Sequence, residues 1–308
     1  MKAIIRQFNK RAAFTIIELL TVMSIIVILM SLLVPSLAMV KRYAREVRQR
    51  AQFHAIEAAM ELFQSVEEGY PDSSALDEDN ADYCGAMKLC EAMVGQDLMG
   101  FHPDSHFRSD LEDGQNNLLY DKDPTSPGDD PDVPNLAARK GPYLQLENAN
   151  AYRLWNLYGQ GNTGPAFGGD SEDLFVLCDE YARVTNKETG KKIGMPILYY
   201  KADPAGNLHD PNYYLPPLTN PSVEARNFYD YRDNHELLDL GKPWDLASPE
   251  EHPLFQAPTE SEGERFYRVT RNPSIRMRRG RPHRPDSYIL ISAGFDGLYG
   301  TEDDIFNF

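Results

Sequence analysis

A long apolar stretch stands near the N-terminus of the chain. From Leu19 to Val40, 22 consecutive residues carry no charge, and most of them are Leu, Ile, Val or Met. A helix of this length, at ~1.5 Å per residue, spans about 33 Å, which is enough to cross the hydrocarbon core of a bilayer. The pattern predicts a membrane-spanning helix.

Helical periodicity continues beyond this stretch. Apolar side chains recur at helical spacing, which is typical of a helix with one buried face, at Ala44, Val47, Ala51, Ala55, Ile56, Ala59, Met60, Phe63 and Val66. Gly69 and Pro71 follow, and such residues end helices. We therefore predict one helix from about Thr15 to Glu68, apolar in its first half and packed on a globular domain in its second.

The rest of the chain predicts a small sheet with long loops. Residues 70–260 are rich in Pro, Gly, Asn, Asp and Tyr, and residues 121–134 (DKDPTSPGDDPDVP) have the composition of an exposed loop. Apolar or alternating segments at 174–184, 193–200 and 286–294 predict strands. The fold class expected from these patterns is α+β.

Composition narrows the possible functions. The chain has 308 residues, a net charge of −16 and 42% hydrophobic residues. The negative charge argues against nucleic acid as a general partner. A protein with many membrane spans is excluded, because it would need many long apolar runs.

Basic residues lie on both sides of the apolar stretch. Lys2, Arg6, Lys10 and Arg11 give residues 1–13 a charge of +4, which favours a cytoplasmic N-terminus and export of the remainder. Five basic residues after the stretch oppose this topology: Lys41, Arg42, Arg45, Arg48 and Arg50. An ordinary signal peptide is the alternative, with Ser36-Leu37-Ala38 as a weak small-x-small cleavage site.

Glu18 stands at the edge of the apolar stretch. A carboxylate in a membrane segment is unfavourable, so it indicates a functional role. The alternative is an interfacial carboxylate that reaches towards the cytoplasm.

The residues around Glu18 carry a family resemblance. The segment AFTIIELLTVMSIIVILMSLLVPSL resembles the class III signal of type IV pilins and type II secretion pseudopilins. The resemblance implies that a prepilin peptidase cuts between Ala13 and Phe14 and methylates the new amine of Phe14. Pro35 falls where many helices of this family carry a proline. One departure is Ala13, since the family usually has Gly before the cleaved bond.

The resemblance also implies a layout and a function. It predicts a basic leader (1–13), a membrane or filament-core helix (14–40), its amphipathic continuation (41–69), and an exported pilin-like domain with an antiparallel sheet (70–308). The chain would be a filament subunit, anchored in the inner membrane by a single span, with its domain in the periplasm or at the cell surface. In the filament, Glu18 would pair with the ammonium of a neighbouring subunit's Phe14 and set the axial register. The alternative is an anchored binding or enzymatic protein.

Three cysteines are present, at positions 84, 90 and 178. In an oxidising compartment Cys84 and Cys90 could close a small loop as a disulfide. A zinc site has less support, since no paired Cys and His spacing is present.

The C-terminal segment SAGFDGLYGTEDDIFNF combines glycines with clustered acids. Such oxygen ligands suit Ca²⁺, although a solvated turn is the alternative because Asp-Gly is itself a turn signal. The segment resembles the terminal calcium loop of major pseudopilins. That resemblance makes Asp303 and Asp304 side-chain ligands, Asp296 a weaker ligand, and Leu298 a backbone-carbonyl donor.

Charge is segregated along the chain. Residues 66–135 contain 18 acids and three bases, whereas residues 265–284 contain eight arginines and no acid. The arginines could dock a neighbour's acidic region, or they could balance the same acids within one chain. The second interpretation is favoured.

Catalytic signatures are incomplete, and we expect no enzymatic activity. Gly159, Gly161 and Gly164 fit GxGxxG, but Pro165 and two further glycines follow them instead of a helix. His235-Glu236 lacks the second His of HExxH.

Overall fold

The structure is a computed structural model. It describes residues 15–113, 115, 118–120, 135–163, 167, 173–211, 226–246, 252–255, 257, 259–275 and 280–308. The chain divides into two compact units, Met1–Ala44 and Arg45–Phe308.

One long helix, α1, runs from Ile16 to Glu67, so its prediction is confirmed to within one residue at each end. Its buried side chains begin only at Gln49 and recur at helical spacing: Gln49, Gln52, Phe53, Ile56, Ala59, Met60 and Phe63. The predicted stripe was wrong at four positions, because Ala44, Val47, Ala51 and Val66 are exposed. Two glutamines occupy the buried face, which a search for apolar residues overlooks.

The strands form small antiparallel sheets, as the α+β prediction requires. Within the described residues, β1 (Ala151–Arg153) pairs with β2 (Phe175–Leu177), and β3 (Val184–Thr185) pairs with β4 (Lys192–Ile193). A three-stranded sheet has the order β5-β6-β7, with bounds Leu198–Lys201, Tyr288–Ser292 and Ile305–Phe306. All three segments predicted as strands contain one.

The three-stranded sheet is buried on both faces. Side chains of β5 and β6 alternate between two apolar cores, as the period of two in a strand requires. Tyr199 and Leu290 share a core with Ile56 and Phe63 of α1. Leu198, Tyr200, Ile289 and Ile291 belong to the second core. The second half of α1 therefore covers one face of this sheet.

A second helix, α2 (Gly85–Val94), is buried at all ten positions. The sequence pattern did not predict it, because Lys88 and Glu91 suggest an exposed segment. Both side chains have hydrogen-bond partners: Lys88 donates to Asp72 at 2.9 Å, and Glu91 accepts from Tyr120 at 2.7 Å. Hydrogen-bonded charges of this kind can be buried.

Within the part of the chain that the structure describes, the remaining helices are short. They are α3 (Asn135–Ala138), α4 (Leu146–Ala149), α5 (Leu154–Tyr158), a 3-10 helix (Tyr231–Asn234), α6 (His235–Asp239) and α7 (Glu264–Val269).

Candidate functional site

The first turn of α1 is closed by a reciprocal pair of residues. The amide and the hydroxyl of Thr15 donate to Glu18 Oε2 at 2.9 Å and 2.7 Å, and the Glu18 amide donates to Thr15 Oγ1 at 3.3 Å. This is the capping-box arrangement, in which two residues satisfy each other's free amides at a helix start. The spacing T-x-x-E is the sequence signature of this arrangement. Glu18 therefore has a local structural role within one chain.

The apolar half of α1 satisfies its own polar groups. The hydroxyls of Thr21, Ser24 and Ser31 donate to main-chain carbonyls three or four residues earlier, at 2.8–2.9 Å. A helix in an apolar solvent needs such hydrogen bonds, because no water is present to accept them from the hydroxyls. Among the described residues, α1 is the one helix long and apolar enough to cross a membrane. None of its most apolar 18 residues is buried. A signal sequence would meet the same criterion.

Pro35 lies inside α1 without ending it. Since proline has no amide hydrogen, the carbonyl of Ser31 loses its usual helical donor. The two residues of the predicted cleavage site, Ala13 and Phe14, lie outside the described residues.

The acidic C-terminal loop connects β6 to β7 and folds its carboxylates onto its own backbone. The amide of Leu298 donates to Asp296 Oδ1 at 2.8 Å, and the amide of Gly300 donates to Asp304 Oδ2 at 2.7 Å. The amide of Asp296 in turn donates to Asp303 Oδ2 at 2.9 Å. The predicted calcium ligands are thus neighbours in one compact loop.

Asp304 is the most perturbed of these acids. Burial raises its pKa to about 8, and its Oδ1 is buried without a hydrogen-bond partner. Burial also raises the pKa of Asp296, with the negative charge of Asp303 adding to the effect. For Asp303 itself, burial favours a higher pKa, but hydrogen bonds from Thr301 and Asp296 lower it overall.

These features fit a cation in part. An orphaned carboxylate oxygen is an available ligand, and a positive ion would offset the cost of ionising Asp304. A side-chain hydrogen bond between Asp296 and Asp303 brings two of the three carboxylates together.

The expected disulfide is not formed. Cys84, Cys90 and Cys178 are buried free thiols. Cys84 caps α2 and Cys90 lies within it, so the helical rise alone separates them by about 9 Å, beyond the ~7 Å between Cα atoms that a disulfide can bridge. Burial raises the pKa of the Cys84 thiol to about 11, so this thiol is not activated.

Four of the eight arginines in the arginine-rich segment pair with acids of the same chain, but not with the acids expected. Arg265 and Arg268 both bind Glu260. Arg284 binds Glu57 at 2.6 Å, and Arg281 lies 3.7 Å from Asp286. None of these acids belongs to residues 66–135. Three further arginines lie outside the described residues: Arg276, Arg278 and Arg279.

Comparison with known protein families, with characterised proteins and with solved structures finds no match to this chain.

Proposed function

We propose that the chain is a structural subunit of a type II secretion or type IV pilus-like filament, processed by a prepilin peptidase and assembled from the inner membrane. The observation that carries this proposal is the division of α1. Its first half exposes apolar side chains from Ile16 to Val40, whereas its second half is packed on a folded α+β domain. Subunits of this form can leave a bilayer for a bundle of other such helices, because both surroundings are apolar.

In this proposal Glu18 contributes in two ways. It caps α1 in the isolated chain, and in the filament its carboxylate pairs with the ammonium of a neighbouring subunit's Phe14. Pairing offsets part of the cost of placing both charges in an apolar bundle. Pro35 would let neighbouring helices adjust their packing, since the carbonyl of Ser31 lacks its helical donor.

A membrane-anchored exported protein is the second candidate. The capping box favours it, because the Thr15–Glu18 hydrogen bonds already give the carboxylate a role. The two candidates differ in whether the negative charge of Glu18 is needed.

The substitution Glu18→Gln distinguishes the two candidates. A capping box accepts Gln as well as Glu at this position, so Glu18→Gln keeps the helix cap and removes the charge. We expect Glu18→Gln to abolish incorporation into filaments, measured by shearing and immunoblotting. We expect Thr15→Ala, which breaks the cap but keeps the charge, to incorporate. If Glu18→Gln formed normal filaments, the charge of Glu18 would not be needed for assembly. Only the membrane-anchored candidate would then remain.

The processing step has its own test. N-terminal sequencing and mass spectrometry of protein from its native membrane should give a chain that begins at Phe14 with a methylated amine. A mature chain that begins elsewhere would remove the peptidase from the proposal. Ala13→Gly, which restores the residue usual in the family, should be processed at least as fast.

The proposal includes a Ca²⁺ site in the acidic C-terminal loop, with Asp303 and Asp304 as side-chain ligands and Asp296 and the Leu298 carbonyl as further donors. The available Oδ1 of Asp304 supports it. Adding Ca²⁺ to the chelator-treated chain should raise its unfolding temperature, and Asp304→Asn should abolish that shift. Glu302→Gln, at the exposed acid of the same loop, is the matched control and should keep it.

The raised pKa of Asp304 also predicts how stability varies with pH in the presence of chelator. The folded chain keeps this proton up to about pH 8, while the unfolded chain releases it near 3.8. The free energy of unfolding should therefore fall as pH rises through this window, by at most about 1.4 kcal/mol per pH unit for one proton. Asp304→Asn should flatten the fall without removing it, because burial raises the pKa of Asp179 to about 7 as well. Urea unfolding at several pH values measures this slope, and equal slopes in both chains would contradict the assignment.

A further inference from the structure

Three metal-ligating side chains converge on α6, far along the chain from both the apolar helix and the C-terminal loop. His235 Nδ1 lies 3.3 Å from Glu236 Oε1, and His235 Nε2 lies 2.9 Å from Asp239 Oδ2. One ligand atom from each residue lies within 4.8 Å of the other two. Two ligands at ~2.0–2.2 Å from one ion lie at most ~4.4 Å apart, so these atoms need to approach one another only slightly to share an ion.

The backbone of α6 is anchored by the buried residue that precedes it. Asn234, which directly precedes His235, is fully buried. Its side chain accepts from the amide of Ala86 and donates to the carbonyl of Tyr199, both at 2.8 Å. Leu237 and Leu238 are buried between the three ligands in sequence. A site on such an anchored turn keeps its geometry with little loss of freedom on binding.

The imidazole ring is also held in place. The ring of Phe255 lies against it, with centroids 4.4 Å apart and planes at 33°. This contact covers a ring face and leaves the ring nitrogens directed at the carboxylates. A histidine oriented by its surroundings is suited to present one nitrogen to a metal.

The charges around this group favour a cation. Two carboxylates flank one imidazole. Arg232, the nearest arginine along the chain, binds Asp230 at 2.8 Å. A divalent ion bound by this group would be attracted by both carboxylates.

We infer that His235, Glu236 and Asp239 form a binding site for a divalent transition-metal ion of the Zn²⁺ class. An imidazole nitrogen with carboxylate oxygens suits Zn²⁺, Co²⁺ or Ni²⁺, whereas Ca²⁺ and Mg²⁺ take oxygen ligands alone. His235 and Asp239 are one helical turn apart, so their side chains share one face. Zn²⁺ prefers four ligands, and three protein ligands leave a position for water.

The competing explanation is an imidazolium held by two carboxylates, with no metal. Isothermal titration of the full chain in detergent, purified without a histidine tag, decides between them. ZnCl₂ should bind the wild-type chain with one equivalent at this site. His235→Ala and Asp239→Asn should each weaken that binding by at least about tenfold, a loss that even the outer partners of metal ligands cause.

The chain offers a matched control. His54 on α1 also contacts a carboxylate, Glu57, at 3.2 Å, but it has one such partner and is 80% exposed. His54→Ala should leave Zn²⁺ affinity unchanged. Circular dichroism confirms that each variant is folded, and Asp239→Asn preserves shape if His235→Ala does not fold. No Zn²⁺ binding by the wild-type chain, or equal affinity in the wild-type chain and Asp239→Asn, would overturn the site.

Discussion

The two halves of α1 belong to the same continuous helix and solve opposite problems. The first half consists almost entirely of apolar residues, and from Ile16 to Val40 its large side chains are exposed. The second half has charged residues on most turns, yet it buries a stripe from Gln49 to Phe63. Apolar content therefore does not decide which half of the helix is packed inside this chain. Complementarity with the sheet and α2 decides it.

The buried stripe shows how that complementarity works. Its apolar members fill a core with α2 and the three-stranded sheet. Its polar members bind the backbone: Gln52 Nε2 donates to the carbonyl of Cys178 at 2.9 Å, and Gln49 Oε1 accepts from the amide of Glu180 at 2.8 Å. The first half has no such partners among the described residues, so its apolar side chains are available for a bilayer or for other helices.

Truncating Phe63 should give the largest loss of stability. Its ring is 3% exposed and meets Phe101 and Tyr143 edge to face at 5.1 Å and 5.5 Å. Phe63→Ala should lower the free energy of unfolding by about 3–5 kcal/mol, through lost burial and the cavity left behind. The adjacent Leu62 is 56% exposed, and Leu62→Ala should change stability by less than about 0.5 kcal/mol. Urea unfolding in detergent measures both, and similar losses would mean that exposure does not separate the helix faces.

A charge in the first half should act on insertion instead of folding. Ile28 is 60% exposed at the centre of the apolar stretch. Ile28→Asp should disfavour the membrane-inserted state by about 2.5–3.5 kcal/mol. We expect it to shift the chain from the carbonate-resistant membrane fraction to the soluble fraction, while near-ultraviolet circular dichroism of the folded domain stays unchanged. Ile28→Leu is the control and should stay in the membrane. If Ile28→Asp unfolded the domain, the two halves would not be separable.

The sequence predicts the parts of this fold that have a strong period. The bounds of α1 and the three strand-containing segments follow from apolar spacing, and each is long enough for its period to show. Helix α2 was missed because Lys88 and Glu91 mimic an exposed surface. Their partners come from distant positions, such as Asp72 and Tyr120. Strands of two or three residues, such as β1 and β7, are too short to show alternation.

The candidate sites likewise divide into those that the local sequence predicts and those that depend on the folded structure. The capping box is readable from Thr15 and Glu18, because its partners are three residues apart. The failed Cys84–Cys90 disulfide depended on whether that segment was helix or loop, which the sequence left open. In the sequence, the group on α6 is visible only as an incomplete HExxH motif. Asp239, its third member, becomes a neighbour of His235 only because the segment is helical.

Removing a buried glutamine should have the smallest effect of the three changes. Gln52→Ala deletes the donor to the Cys178 carbonyl and a longer bond to Asn148. Gln52 Oε1 is itself buried without a partner, so deleting it relieves part of the cost of burying the amide. The net loss should be about 1 kcal/mol, at the lower end of the cost of breaking a buried hydrogen bond. Gln64→Ala, at a half-buried glutamine of the same helix, should cost less than about 0.5 kcal/mol. A loss in Gln52→Ala as large as that in Phe63→Ala would mean that polar bonds to the backbone, more than the apolar core, hold the second half of α1 in place.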